Sequence, residues 1–91
     1  MTQPSLRNII GPAVRRVRTD AGLSQEAMAA RCQLKGWDVT RTMVAKIEEQ
    51  KRQVNDAEII MLARVLSTTP ESLLGGGHAR DIKLVIRHGE P

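Results

Sequence analysis

Apolar residues along this chain recur mostly at helical spacing. Ile10, Val14 and Val17 stand at i, i+4 and i+7, one face of a helix running from Ile9 or Ile10 to Thr19 or Asp20. Pro12 fits its first turn, where a missing N–H costs little. Gly22 supplies a left-handed cap at its end. Ser24 then caps a second helix with inner positions Ala27, Met28, Ala29 and Cys32. Gln33 to Asp38 reads as a turn longer than a tight one. Thr40 caps a third helix whose buried stripe is Met43, Val44 and Ile47, leaving Arg41, Thr42 and Lys46 on a polar face.

The pattern continues after a basic connector, Lys51-Arg52-Gln53-Val54. Asn55 with Glu58 three residues on has the form of a capping box. Ile59, Leu62, Ala63 and Leu66 make the inner stripe of a fourth helix, and Ile60, Met61 and Val65 are left outside it. Thr69-Pro70 opens a short fifth helix with Leu73 and Leu74 inward. Gly75-Gly76-Gly77 is a hinge. Beyond it Ile82, Leu84 and Ile86 alternate with Lys83, Val85 and Arg87, which suggests a strand. Residues 1–8 are polar and expected to fray. The organisation predicted is therefore a flexible N-terminus over 1–8, a helical domain over 9–74 and a Gly-hinged tail over 75–91. The tail is either disordered or a strand that pairs between two copies or docks on a protein partner.

Composition narrows the function. A chain of 91 residues holds one domain with a modest core. Its net charge of +4 is compatible with an anionic partner. Trp37 is its only aromatic residue, which excludes a stacking platform for single strands and makes the core aliphatic. Trp37 is expected to plug a loop. Cys32, the single cysteine, is expected as a small apolar filler; no Cys/His spacing suggests a metal, and no cofactor is expected. No run approaches the roughly 20 apolar residues that cross a bilayer, so no membrane association and a cytoplasmic setting are expected. Enzymatic chemistry is not expected either: the sequence offers no nucleophile with a base, no paired carboxylates and no phosphate loop.

Arg18, Gly22-Leu23-Ser24-Gln25-Glu26, Ala29, Val39-Thr40 through Ile47-Glu48, and Leu62-Ala63 with Leu66 together resemble the lambda-repressor-like, Cro-type helix-turn-helix family over roughly residues 10–74. The resemblance implies an all-α domain of five helices with a short C-terminal extension of at most one strand, and a third helix laid in the DNA major groove. It implies that Gln25 bonds a phosphate and braces that helix. Arg41, Thr42 and Lys46 would face base edges, Thr40 would belong to the DNA-binding set beside them, and Lys51 and Arg52 would lie over the adjacent backbone. Arg18 and Glu48 would form a structural ion pair. Two departures stand out. The stretch from Ser24 to Glu48 is several residues longer than the family pattern. Gln50 stands where the family has glycine, so the third helix is expected to run on toward Lys51. The function implied is a homodimeric transcriptional repressor binding double-stranded DNA at a two-fold operator. The alternative is an antitoxin-like module whose tail binds a protein.

Overall fold

The computed structural model describes residues 5–88 and contains six helices and no strand among them. They are α1 (Gly11–Asp20), α2 (Gln25–Leu34), α3 (Arg41–Glu48), α4 (Asp56–Val65), α5 (Pro70–Leu74) and α6 (Ala79–His88). The helix starts follow from side-chain caps. Ser24 Oγ accepts from the Ala27 N–H at 3.0 Å, Thr40 Oγ1 from Met43 at 3.2 Å and Thr69 Oγ1 from Ser72 at 3.1 Å. At α4 the box is complete: Asn55 Oδ1 accepts from Glu58 N–H at 2.8 Å, and Glu58 Oε1 accepts from Asn55 N–H at 3.0 Å. Each such cap satisfies donors that a helix leaves orphaned.

The apolar stripes meet in one core. Ile10, Val14, Met28, Cys32, Val39, Val44, Ile47, Leu62 and Leu73 are all essentially inaccessible to water. Burying each of the larger ones stabilises the fold by about 1.5–3 kcal/mol. Helices α1 and α2 both pack on α3, α4 packs on α2 and α5, and α5 closes back on α1. Helix α3 is thus backed by two helices along its inner stripe. Cys32 lies in this core, where burial pushes its thiol pKa up.

Four expectations need correction. The tail is the helix α6, not a strand. Ile82, Val85 and Ile86 share a face at i, i+3 and i+4 as readily as Ile82, Leu84 and Ile86 alternate, and the absence of a partner strand favours the helix, whose backbone bonds are internal. The N-terminal segment is not loose at its inner end, because Asn8 is buried; residues 1–4 lie outside the described residues. On α4, Val65 belongs to the core and Met61 packs against it, leaving Ile60 as the outward residue.

Helix α3 does not run on toward Lys51. It stops at Glu48, and Gln50 adopts φ +63°, a left-handed conformation that costs a non-glycine residue strain. The surroundings hold it there. The Gln50 carbonyl accepts from Arg7 N–H at 2.9 Å, and its Nε2 donates to the Asn8 carbonyl at 3.1 Å and to Asp81 Oδ2 at 3.3 Å. Asn8 Nδ2 in turn donates to the carbonyls of Ile47, at 3.1 Å, and Arg52, at 2.8 Å, while its Oδ1 accepts from Gly11 N–H at 2.9 Å. Gly11 permits this closeness: a Cβ there would lie 2.5 Å from the Ile47 carbonyl oxygen.

Candidate nucleic-acid interface

Helix α3 presents two unlike faces. Val44, Ile47 and Glu48 are buried, whereas Arg41, Thr42 and Lys46 are exposed. The division follows from the 3.6-residue period, which puts Thr42 and Lys46 one turn apart on one side. Arg41 is the first helical residue, beside the cap Thr40, whose hydroxyl is engaged with Met43. Four long or hydrogen-bonding side chains therefore stand along the outer side of a short, rigidly backed rod.

Glu48 ends that rod inside the protein. Arg18 Nε lies 2.5 Å from Glu48 Oε2 and Nη2 lies 3.0 Å from Oε1, a two-pronged pair. Nη1 of Arg18 also donates to the Leu23 carbonyl at 2.7 Å, in the turn between α1 and α2. Hydrogen bonding to Glu48 raises the Arg18 pKa further above its ordinary value, against the opposing effect of burial. Gln25, the first residue of α2, donates through Nε2 to Glu48 Oε1 at 3.1 Å. It is half-buried, so one part of the amide braces α3 while the start of α2 remains accessible.

The longer connection between α2 and α3 is ordered by specific contacts. Gly36 takes φ +88°, Gln33 Nε2 donates to the Val39 carbonyl at 2.9 Å, and Val39 is in the core. Trp37 is half-buried against that core, and the Arg52 guanidinium stacks 5.8 Å above its ring centre. Arg52 also makes two bonds to Glu58, of 3.2 and 3.0 Å. Burial pushes the Glu58 carboxyl pKa up, but hydrogen bonds from Arg52 and the Asn55 N–H, with the guanidinium's attraction, outweigh it and hold the group below the usual range. The cation expected over a DNA backbone thus faces inward and clamps the α2–α3 connection to α4. Lys51 is exposed, its ammonium 3.0 Å from the equally exposed Glu49 carboxylate.

A family model described as Helix-turn-helix matches residues 14–73, which contain α2, α3 and the connection between them. The chain belongs to the lambda-repressor-like helix-turn-helix family. It is a DNA-binding transcriptional regulator of that family. Among solved structures it is similar to the restriction-modification controller protein C.AhdI from Aeromonas hydrophila, with 36% identity and a TM-score of 0.59 over 70% of this chain and 86% of that one. No curated protein matches significantly. In this helix-turn-helix protein α2 and α3 are the two helices of the motif. Reasoning from the sequence missed Asn8 and Gly11, and it singled out Gln50 without its contacts; together these three fix where α3 ends. An Asn three residues ahead of Gly-Pro at a helix start was the one signal for the first of them. Among the described residues, no helix is long and apolar enough to cross a membrane.

Proposed function

We propose that this protein is a sequence-selective repressor that binds double-stranded DNA as a homodimer, with α3 of each copy in a major groove. The observation that carries the reading is the exposed set Arg41, Thr42 and Lys46 on a helix whose opposite face is fully packed. Arg41 and Lys46 donate to guanine O6 and N7, and Thr42 offers a methyl to thymine or a hydroxyl to either base type. Thr40 and Gln25 stand at the two helix starts, where N–H groups and side chains meet phosphate oxygens. Lys51 neutralises a phosphate beyond the recognition helix. Arg52 acts through its clamp, with its guanidinium engaged by the Glu58 carboxylate and the Gln53 carbonyl.

Two copies are supported by apolar surface that the domain leaves outside. Ile60, Leu74, Ile82 and Ile86 are each at least 40% exposed. Ile82 and Ile86 line an apolar cleft of about 250 Å³ with Ile9, Val54, Ile59 and Leu74. A two-fold dimer would read two related half-sites. The likeness to a restriction-modification controller supports a second, narrower reading, in which the genes regulated belong to such a system.

The test is selection of bound sites from random duplex DNA, with the natural protein and with Arg41→Ala. The natural protein should enrich a discrete site. Arg41→Ala should relax preference at one position of each half-site, losing about 1–3 kcal/mol of discrimination there. Unchanged preference in the variant would remove Arg41 from the reading face.

A further inference from the structure

Helix α6 lies beyond the segment shared with the family, and its polar face carries a concentration of positive charge. Arg80, Lys83 and Arg87 fall at i, i+3 and i+7, all exposed and none ion-paired among the described residues. Together with Leu84 they line one concavity of about 320 Å³. The only acidic residue of α6, Asp81, is turned away from this face and bonded to Gln50.

That bond fixes where the basic face is held. Gln50 sits just past the end of the recognition helix and adjoins Lys51 in sequence. Its carbonyl holds the backbone of Arg7, and its side chain holds Asp81, the neighbour of Arg80. The N-terminal segment and the start of α6 therefore both meet the exit of α3 at one residue, and Arg80 precedes Asp81 in α6. Lys83 and Arg87 extend the row along α6. At 1.5 Å rise per residue the three α6 cations span roughly 10 Å, enough to face three successive phosphates of one strand at about 3.4 Å of duplex axis each.

We propose that Arg80, Lys83 and Arg87 form a second phosphate-binding surface, which grips the DNA backbone flanking the site read by α3. The occupant is a polyanion because the concavity offers three cations and one apolar residue. It is the flanking duplex because α6 is tied to the end of the helix that enters the groove. The inference rests on the DNA-reading role of α3 and adds a contact outside it. These residues grip without reading sequence, so they raise affinity and salt sensitivity and leave selectivity alone.

The experiment compares the full chain with Arg80→Gln/Lys83→Gln/Arg87→Gln on two duplexes, one extending well past the selected site and one trimmed to it. Binding is titrated against salt. On the long duplex the slope of log affinity against log salt should fall by about 0.9 for each phosphate released, or about 2.7 per copy. On the trimmed duplex the two proteins should coincide, and the preference for the selected site should be the same in both. Glutamine keeps the helix propensity of the replaced residues; should circular dichroism nevertheless show lost helix, Lys83→Gln alone must lower the slope by about 0.9. Equal slopes on the long duplex overturn the proposal. So does a loss that persists on the trimmed duplex, or a change confined to sedimentation, which would assign the face to contacts between copies. Absence of any selected site with the natural protein would instead overturn the reading role of α3.

Discussion

Glu48 is the residue on which three segments converge. It receives two bonds from Arg18 of α1 and one from Gln25 of α2, while its own backbone ends α3. Its side chain is only 3% exposed and that of Arg18 11%, so the pair has little water to fall back on. Such a pair contributes modestly as a whole, since desolvating both charges offsets much of their attraction, but removing one partner strands the other. Arg18→Met should therefore destabilise the fold by about 3–5 kcal/mol. That is a large part of the roughly 5–15 kcal/mol typical of a small domain. The double change Arg18→Met/Glu48→Leu should restore much of the loss. Denaturant midpoints at unchanged cooperativity measure both, and a double variant no better than the single one would contradict the stranded-charge account.

At the scale of elements, the α2–α3 connection depends on an ion pair formed outside it. Arg52 and Glu58 join the loop bearing Trp37 to the first turn of α4, where Glu58 also completes the capping box. The Glu58 carboxyl has a lower pKa folded than unfolded. A group of this kind adds stability that is fully present above its unfolded pKa, about 4.3, and is lost as pH falls through the folded value. Stability measured from about pH 6 down to about pH 3 should therefore decline below about pH 4.5, and Glu58→Gln should flatten that decline while lowering stability near neutrality. An acid limb of the same steepness in the variant would assign the decline to other carboxylates. These contacts also explain what the sequence made legible. Ser24, Thr40, Asn55 and Thr69 announce four helix starts because capping is local, decided within three residues. Asn8 and Gln50 act across the chain, through partners in other segments, and neither fits a periodic pattern. Arg52 reads as a surface cation until Trp37 and Glu58 are seen on either side of it. The tail misled because the run from Ile82 to Ile86, apolar except for Lys83, satisfies both a two-residue and a 3.6-residue period.

The whole molecule is a small helical body with α3 backed on the inside and α6 laid near the N-terminal segment, one hydrogen bond joining Ser5 Oγ and His88 Nδ1 at 2.9 Å. Apolar residues on α4 to α6 remain partly outside, enough to favour association of a chain this small. Sedimentation should find a dimer at micromolar concentration, and Ile82→Glu/Ile86→Glu should shift it to monomer. In the same pair of proteins, protection of DNA should contract from two half-sites about one helical turn apart to a single one. A natural protein that sediments as a monomer at every concentration, or a variant that remains dimeric, would remove α6 from the interface. The overall all-α architecture was legible in the sequence because each core stripe repeats within one helix; how α6 returns to the N-terminus was not, because the Gly75-Gly76-Gly77 hinge leaves its direction to long-range contacts.

Trp37 has one more consequence. It is the single tryptophan of a chain without tyrosine, and it rests half-buried beneath the Arg52 guanidinium. All ultraviolet emission from the protein thus originates at the joint between α2 and α3. The molecule carries an optical gauge at the place where the angle between the two motif helices is set, and it needs no attached dye to follow that joint.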